Sequence, residues 1–291
     1  MRILLFGGDG QLGHELRKRA VDLEFDVVSP VITEVDITER EQVARVVRSV
    51  QPDVVINCAA YTAVDRAEEE SESVFRINRD GPAYVGEACA KADVRCIHIS
   101  TDYVFDGSLG RPLREDDLKN PLSVYGRSKW EGEELFREAL GEKALIVRTQ
   151  ALYGQKGINF VQTMLKLFSE REVVKVVNDQ WVSPTWAGWL AEVLLDCARL
   201  KATGVVHASS EGAVSWFDFA REIRTMASPY LNTEKVAVVE PCSAADLNRP
   251  AKRPTYSAFD TSKLSGLLGR PAIKWRTALE LFLEELGVLK K

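Results

Sequence analysis

Short, uniformly apolar runs alternate with amphipathic stretches through the first 150 residues of this 291-residue chain. The apolar runs stand at 2–6, 52–60, 94–100 and 143–149, and the clearest amphipathic stretches stand at 39–50 and 73–92. Strands that are apolar on both faces lie in parallel sheets that helices cover on each side. The alternation therefore predicts an α/β fold, a doubly wound parallel sheet of the Rossmann type.

The composition excludes several classes of protein. With 45% hydrophobic and 28% charged residues, the chain has the make-up of an ordinary globular protein. Its net charge of -5 offers no basic surface to a nucleic-acid backbone, and no apolar run approaches the length of a membrane span. The five cysteines lack CxxC spacing, which favours reduced thiols over metal ligands. We expect a soluble, cytoplasmic protein that binds neither nucleic acid nor membrane.

Three glycines follow the first apolar run in the spacing GxxGxxG, at Gly7, Gly10 and Gly13. Glycines here let the backbone turn sharply and approach a pyrophosphate, while the next helix offers free N–H groups at its positive end. Gln11 and Leu12 would then lie along the ligand. A plain strand-to-helix turn also uses glycines, but the strand-turn-helix context favours a nucleotide-binding site.

The regular alternation fades after about residue 150. A helical pattern at 183–200, an apolar run near 204–209 and an amphipathic pattern at 275–287 come later. We expect residues 1–150 to form an NAD(P)-binding Rossmann domain that the strand near 204–209 joins. Residues 151–291 would form mainly a smaller substrate-binding lobe.

The end of the second predicted strand bears on the choice of cofactor. Ser29 and Pro30 stand where dinucleotide-binding proteins commonly carry an acidic residue that accepts from the ribose 2′-hydroxyl. A chain without that carboxylate admits NADPH, and the basic residues 17–19 are candidates to lie near a 2′-phosphate. NADPH and NADH both remain open.

Asp36 is a candidate contact for the adenine amino group. An aspartate at this place can equally cap the helix that is predicted to start near Glu39, and Thr38 competes with it for that role. The sequence leaves both readings open.

Tyr125 and Lys129 stand four residues apart in the helical stretch "SVYGRSKWEGE" and therefore share a helix face. A free phenol has a pKa near ~10. An ammonium about 4 Å away favours the phenolate by roughly 4 kcal/mol at an effective dielectric of about 20, while desolvation opposes it. We expect a lowered pKa that suits Tyr125 to general acid catalysis. The spacing alone is also that of an ordinary surface pair.

Polar residues follow the predicted strand at 94–100, in "HISTDYVFDG". Open α/β sheets bind ligands at the carboxyl ends of their strands, so Thr101 is placed to donate to a carbonyl oxygen. Asp102 and Tyr103 are candidates for substrate contact, or a turn residue and a packing aromatic. With the glycine turn and the YxxxK pair, this arrangement indicates hydride transfer to a carbonyl group.

These motifs resemble those of the extended short-chain dehydrogenases/reductases. Longer strings resemble the dTDP-4-dehydrorhamnose reductase family nearly from end to end: "INCAAYTAVDRAEEE", "HISTDYVFDG", "NPLSVYGRSKWEGE", "NFVQTML", "DQWVSPTW" and "RPAKRP". The resemblance implies NADPH-dependent reduction of the 4-keto group of dTDP-4-dehydro-L-rhamnose to dTDP-L-rhamnose, for cell-surface polysaccharide.

The resemblance also implies roles for residues of this chain. Tyr125 would protonate the sugar oxygen, Lys129 would hold the nicotinamide ribose and tune Tyr125, and Thr101 would hydrogen-bond the same oxygen. Asp102 would contact the sugar. Apart from the resemblance, Tyr103 and Arg253 are also candidates for substrate binding. The cofactor would be lined by Gly7, Gly10, Gln11, Leu12, Gly13, Asp36, Ile37, Ala60, Tyr61, Thr62 and Ile99, with Tyr125 and Lys129.

The chain departs from the family pattern beside the predicted sugar. Where the family has Ser-Trp, this chain has Gln150 and Ala151, which leaves the exact sugar open. Trp181 or Trp186 is a candidate to fill the space. Some family members form a homodimer with Mg²⁺ held by glutamates, and Glu15 matches one such position. That match alone assigns no metal.

Two further readings remain open on the sequence. Arg249, Lys252 and Arg253 offer positive charge to a substrate diphosphate, or are solvated surface cations. The same family resembles the methionine adenosyltransferase β subunit, a noncatalytic cofactor-binding regulator. A 4-epimerase or dehydratase that acts on a nucleotide sugar is a third possibility. The intact set of Thr101, Tyr125 and Lys129 favours an enzyme.

Overall fold

The computed structural model describes residues 1–231 and 236–289. Within these ranges the strands are β1 (Arg2–Phe6), β2 (Asp26–Val28), β3 (Val54–Asn57), β4 (Arg95–Thr101), β5 (Ala144–Thr149), β6 (Leu152–Tyr153), β7 (Val173–Val177), β8 (Trp181–Val182), β9 (Thr185–Trp186), β10 (Gly204–His207), β11 (Val214–Ser215) and β12 (Val238–Cys242). The α-helices are α1 (Gln11–Asp22), α2 (Arg40–Val50), α3 (Ser71–Phe75), α4 (Gly81–Ala92), α5 (Val124–Leu140), α6 (Phe160–Glu170), α7 (Ala187–Arg199), α8 (Trp216–Ala227), α9 (Ser262–Leu268) and α10 (Trp275–Glu285).

A parallel sheet forms the centre of the molecule, and over the described residues it has six strands in the order β10-β5-β4-β3-β1-β2. The chain runs outward from β1 to β2 and then returns to the other side of β1 to form β3. Open α/β sheets bind ligands where the strand order reverses in this way, outside the carboxyl ends of the strands. The predicted doubly wound fold is confirmed, and its crevice lies between β1 and β3.

Each central strand buries both of its faces. On β1, Ile3 and Leu5 belong to the core under α1 and α7, whereas Leu4 and Phe6 belong to the core under α2, α4 and α5. Alternate residues of a strand point to opposite faces, so a strand between two helical layers is mostly apolar along its whole length. This requirement explains the uniform runs in the sequence.

Two predicted helices differ from those observed. The stretch at 73–92 is broken by a π-helical segment, Arg76–Asp80, because Pro82 in the first turn of α4 has no N–H for the carbonyl of Asn78. The pattern at 183–200 begins a helix only at Ala187, since Thr185 and Trp186 form strand β9.

The later part of the chain contributes both to the main sheet and to smaller ones. Strand β10 pairs in parallel with β5, with Gly204 opposite Leu145. The pairs β6–β9, β7–β12 and β8–β11 form two-stranded sheets. Among the helices of the described ranges, none has the length and apolar character needed to cross a membrane. The domain boundary near residue 150 remains a prediction.

Candidate active site

The glycine turn packs against the end of β3 so closely that side chains do not fit. A Cβ on Gly7, whose φ is +77°, would lie 2.6 Å from the backbone nitrogen of Ala59. A Cβ on Gly13 would lie 2.2 Å from the Gly7 carbonyl oxygen. Helix α1 starts directly after Gly10, and no side chain caps its first amides. The turn therefore offers free N–H groups and a positive helix end to an anion.

Two cavities meet at this turn. The first, which we call the β2-side cavity, has a volume of about 390 Å³ and extends past Gly8 and Pro30 to Asp36 and Ile37. The second, the β4-side cavity, has a volume of about 530 Å³ and extends along the ends of β4 and β5. Both are lined by Gly7, Gly10, Cys58 and Ala60. Together they form one cleft along the carboxyl edge of the sheet.

Most of the residues that the sequence predicted for the site line this cleft. Asp36 and Ile37 lie in the β2-side cavity. The β4-side cavity is lined by Gly7, Gly10, Gln11, Leu12, Gly13, Ala60, Thr62, Ile99, Thr101, Asp102, Tyr103, Tyr125 and Lys129. Tyr61 and Arg253 are not among the lining residues of either cavity. The structure thus brings the three proposed catalytic side chains beside the glycine turn.

Tyr61 and Arg253 are each held by a carboxylate outside the two cavities, and Arg253 also has a hydrogen bond with Tyr103, in the wall of the β4-side cavity. The Tyr61 hydroxyl donates to Glu70 at 2.6 Å. Arg253 donates from two nitrogens to Asp65, at 3.0 and 2.8 Å, and lies in the wall of a third cavity together with Arg249 and Lys252. The charge of Arg253 is therefore already matched within the protein.

Helix α5 carries Tyr125 and Lys129, and two of its glycines let it pack closely against the backbone of neighbouring segments. A Cβ on Gly126 would lie 2.2 Å from the Tyr103 carbonyl oxygen, and one on Gly132 would lie 2.0 Å from the Asn78 carbonyl oxygen. Ser123 caps the helix by accepting from the amide of Gly126 at 3.1 Å. Larger residues at the two glycines would push Tyr125 and Lys129 out of the cleft.

The expected lowering of the Tyr125 pKa is wrong for this structure. Burial raises the pKa of Tyr125, and its hydrogen bond with Thr101 acts in the opposite direction. Lys129 does not direct its ammonium group at the phenol. Its Nζ donates to the Ile99 carbonyl oxygen at 2.7 Å and lies 3.3 Å from His98 Nε2. Sharing a helix face fixes the side on which two residues lie, but not where a long side chain ends.

His98 and Asn57 form a buried group behind Lys129 that the sequence reading missed. Asn57 Nδ2 lies 3.3 Å from His98 Nδ1, and both residues are fully buried. Burial lowers the pKa of His98, and the nearby Lys129 lowers it further. The available signal was a polar residue inside each of two apolar strands, in "VVIN" and "RCIHIST".

Asp102 is a buried carboxyl group at the end of β4. The Thr101 hydroxyl donates to it at 3.0 Å, and it also has a hydrogen bond with Ser257. Burial raises the pKa of Asp102 to about 6, against these hydrogen bonds. Beside it, burial raises the pKa of Tyr103 to about 12. Asp102 and Tyr103 lie at the end of the cleft that also holds Thr101 and Tyr125, which we call the reaction end. Burial therefore disfavours negative charge on the side chains of the reaction end.

Gln150 and Ala151 form the wall where the family pattern has Ser-Trp. Gln150 is buried, donates to the Ser257 carbonyl oxygen at 2.8 Å and accepts from the Ser183 amide at 2.9 Å. Ala151 has a φ of +44°, in the left-handed region. Both line the β4-side cavity, with no large side chain at this point of the wall.

The two tryptophans that were candidates for this space lie elsewhere. Trp186 is buried beneath the guanidinium of Arg19, 5.0 Å from its ring centroid. Trp181 forms backbone hydrogen bonds with Thr255 and Ser257. Neither lines the β4-side cavity.

Asp36 and Thr38 do not cap α2. The Asp36 carboxylate accepts from the amide of Thr38 at 2.8 Å, and Glu39, at the N-cap position, makes no side-chain cap. Asp36 thus braces its own turn at the wall of the β2-side cavity, and its predicted contact with adenine remains a prediction.

Within the described part of this one chain, Glu15 is not grouped with other metal-ligating side chains. It is buried on α1 and pairs with Arg19 one turn along the helix. Over the ranges that the structure describes, no cluster of three or more His, Cys, Asp or Glu residues is placed to hold a metal ion.

The sheet, the uncapped helix behind the glycine turn and the cleft beside them define a dinucleotide-binding protein of the Rossmann class. A family model described as "RmlD substrate binding domain" matches residues 1–288, and the chain belongs to this family. The chain is 39% identical over 286 residues to a dTDP-4-dehydrorhamnose reductase of Aggregatibacter actinomycetemcomitans, covering 96% of this chain and 97% of that one. The family predicted from the sequence is confirmed.

Solved structures agree over the whole fold. A dTDP-4-dehydrorhamnose reductase from Clostridium acetobutylicum superposes with a TM-score of 0.92 at 38% identity, covering 99% of this chain and all of that one. The Bacillus anthracis reductase, solved in complex with NADP, also has a TM-score of 0.92, at 36% identity, covering 98% of this chain and 99% of that one.

Proposed function

We propose that this chain is an NADPH-dependent reductase that converts dTDP-4-dehydro-L-rhamnose to dTDP-L-rhamnose, a precursor of rhamnose-containing cell-surface polysaccharide. The observation that carries the proposal is the meeting of Thr101, Tyr125 and Lys129 with the glycine turn in one cavity. The similarity of the whole chain to dTDP-4-dehydrorhamnose reductases supports the choice of sugar.

The cleft fits a nicotinamide dinucleotide. Gly7 and Gly13 let the turn pack closely against neighbouring backbone, and the start of α1 that follows the turn has no side-chain cap, so its amides are free to bind the pyrophosphate. The β2-side cavity would hold the adenosine half and the β4-side cavity the nicotinamide half. Bound NADPH supplies a hydride to the substrate carbon.

NADPH is favoured over NADH by the residues at the end of β2. Ser29 has no charge and donates to the Leu5 carbonyl oxygen at 3.1 Å. Arg17 lies nearby, because its Cδ would be 3.3 Å from a Cβ on Gly8, and its exposed guanidinium has only a long contact of 3.7 Å with Asp9. A 2′-phosphate would therefore meet a cation and no carboxylate at Ser29.

At the reaction end, Tyr125 would donate its phenolic proton to the oxygen of the reduced carbonyl group. The raised pKa of Tyr125 keeps the phenol protonated at neutral pH, which an acid needs before the reaction. Thr101 would hydrogen-bond the same oxygen. Lys129 would hold the nicotinamide ribose while remaining bound to the Ile99 carbonyl group.

The nucleotide half of the substrate would extend toward the third cavity. Arg249 and Lys252 are exposed there, and Arg253 is held by Asp65. These two exposed cations, in a chain whose net charge is -5, offer local positive charge to a diphosphate. This subsite, the homodimer and the cytoplasmic location remain predictions from the sequence, and the free cysteines of the described residues agree with a reducing compartment.

The proposal is tested by following NADPH absorbance with dTDP-4-dehydro-L-rhamnose and with other dTDP- or UDP-4-keto sugars. We expect oxidation of NADPH with the first sugar and loss of turnover by about 10²–10⁴-fold in Tyr125→Phe, with NADPH affinity unchanged. A matched control is Tyr256→Phe, which removes a phenol outside the cleft.

Other outcomes identify the alternatives. NADPH binding without turnover of any sugar would favour the noncatalytic regulator. Turnover of another 4-keto sugar alone would show that the chain is a reductase with a different substrate. Tightly bound NAD with no net consumption of cofactor would indicate an epimerase.

A further inference from the structure

His98 lies in the middle of a buried row of three polar side chains. Asn57 is 3.3 Å from its Nδ1, and Lys129 Nζ is 3.3 Å from its Nε2. Strand β3 supplies Asn57, strand β4 supplies His98 and helix α5 supplies Lys129. The row runs from the interior of the sheet to the β4-side cavity, which Lys129 lines.

The orientation of the Asn57 amide is set by the backbone. Its Oδ1 accepts from the amide of Ala59 at 3.1 Å, so its Nδ2 faces His98. An amide nitrogen donates and cannot accept. His98 Nδ1 must therefore be the acceptor of this hydrogen bond.

The proton of His98 is then on the other ring nitrogen. The ring is fully buried, and burial lowers its pKa, so it is neutral and carries a single N–H, at Nε2. That N–H points at Lys129 Nζ. An ammonium has no lone pair, so only a neutral amine can accept this hydrogen bond while it donates to the Ile99 carbonyl oxygen.

We propose that His98 is a positioning residue that stabilises the neutral amine form of Lys129 through Nε2–H, with Asn57 selecting the tautomer that does so. When Lys129 takes a proton from solvent, its lone pair is consumed and the hydrogen bond from His98 is lost. Lys129, which lies near Tyr125, therefore exchanges its proton more readily than an ordinary lysine does. The inference rests on the proposed function for its catalytic meaning.

Among the groups around Lys129, Glu133 opposes this effect, and its charge is partly matched by Arg148. Cys58, from the end of β3, is a neutral thiol because burial raises its pKa to about 12. On its own helix Lys129 has Tyr125, a neutral phenol, and Glu133, whose carboxylate is paired with buried Arg148 at 2.6 Å. Burial also lowers the pKa of Lys129 to about 8, while Glu133 raises it.

The test is a direct titration of Lys129 by NMR of protein carrying ¹³Cε-labelled lysine. The resonance is assigned by its absence in Lys129→Arg. Asn57→Asp keeps the size of the side chain and its bond to Ala59 but presents a carboxylate to Nδ1. That acceptor places the ring proton on Nδ1 and leaves Nε2 free to accept from an ammonium. We expect the Lys129 titration to move up by about one unit or more, the effect of one hydrogen bond.

A matched pair of variants at His98 separates its two contacts. His98→Asn keeps an amide near the Nδ1 position and removes the contact with Lys129, so the titration should also move up by about one unit. His98→Gln keeps an amide near the Nε2 position that can serve either form of Lys129, so its shift should be smaller. Circular dichroism and thermal unfolding establish that each variant is folded.

An unchanged or lowered Lys129 titration in His98→Asn would overturn the inference, because that variant removes the contact without adding a charge. The carboxylate of Asn57→Asp also raises the Lys129 pKa by its charge, so an upward shift there supports the inference only together with one in His98→Asn. If His98→Asn is unfolded, His98→Gln takes its place, with a smaller upward shift expected. The pH profile of kcat should follow the NMR titration in each active variant. Because the titration needs no substrate, failure to reduce the sugar would overturn the proposed function and leave this inference standing.

Discussion

The two cavities that meet at the glycine turn are built in different ways. The β2-side cavity is shaped by the backbone of the glycine turn at one end and by apolar side chains such as Ile32 and Ile37 beyond it. The β4-side cavity is shaped by buried polar side chains, such as Asp102, and their partners come from distant parts of the chain.

The difference shows two ways to make a binding site. Beside the glycine turn, the β2-side cavity gains its affinity for an anion from backbone amides, so none of its side chains needs a shifted pKa. The β4-side cavity shifts pKa values by burial: that of Lys129 falls to about 8 and that of Asp102 rises to about 6. A site for proton transfer needs groups whose charge can change near neutral pH.

The largest effect is expected where the backbone leaves no room. In Gly13→Ala the new Cβ would lie 2.2 Å from the Gly7 carbonyl oxygen and 2.5 Å from Gly8 Cα, so the turn must move. Overpacking against rigid backbone costs about 3 kcal/mol or more, which corresponds to NADPH binding weakened by over about 100-fold. Fluorescence titration with NADPH measures it.

Gly266→Ala is the matched control for this change. Its Cβ meets nothing within 4 Å and lies in helix α9, so both cofactor affinity and stability should be kept. Equal NADPH affinity in Gly13→Ala and the parent would contradict the view that backbone contact shapes this end of the cleft.

An intermediate effect is expected from Asp102→Asn, as a pH dependence. The folded pKa of Asp102 is about 6, above its ordinary 3.8, so its contribution to stability is present below pH 4 and is lost as the pH rises through 6. Removing the charge should make the variant more stable than the parent at pH 7 by about 2–3 kcal/mol, with no gain at pH 4. Urea unfolding from pH 4 to 7 measures the difference.

Asp106→Asn should show the opposite sign. Hydrogen bonds from the backbone of Ser108 and from Asn120 lower the pKa of Asp106, so its contribution to stability is present above pH 4 and lost in acid. The variant should lose stability relative to the parent as the pH rises. Parallel pH dependences in the two variants would argue against burial as the cause of the Asp102 shift.

The smallest effect is expected at Ala151, in the wall of the β4-side cavity. Its φ of +44° costs a residue with a Cβ roughly 1–2 kcal/mol, while glycine adds flexibility to the unfolded chain. Ala151→Gly should therefore raise the free energy of unfolding by about 0.5 kcal/mol. Thermal unfolding measures it, and a lower melting temperature would show that the turn carries no strain.

The sheet could be predicted from the sequence because its cause is local. A strand covered on both faces is mostly apolar; β1, β3 and β5 lie within the predicted apolar runs, and β4 extends one residue past its run, to Thr101. The break at Arg76–Asp80 was missed although its cause, Pro82, stands in the sequence. The helical periodicity at 73–92 predicted one unbroken helix, although Pro82 has no N–H to donate within it.

The candidate site was predictable where spacing determines position and not where it depends on a partner far along the chain. The glycines, Tyr125 and Lys129 belong to local motifs. Arg253 is separated from its partner Asp65 by 188 residues, and His98 is separated from Lys129 by 31. The direction of the Tyr125 pKa shift was wrong because burial dominates it, and because the Ile99 carbonyl group, on another element, binds the Lys129 nitrogen.

Strand β10 closes the edge of the sheet only after the chain has passed through α6 and α7. A polypeptide cut near residue 150 would leave β5 as an open edge whose six residues are all buried in the intact protein. On the ribosome, the sheet cannot be completed until residue 207 has left the exit tunnel. The early strands therefore wait, partly uncovered, for a segment made more than fifty residues later.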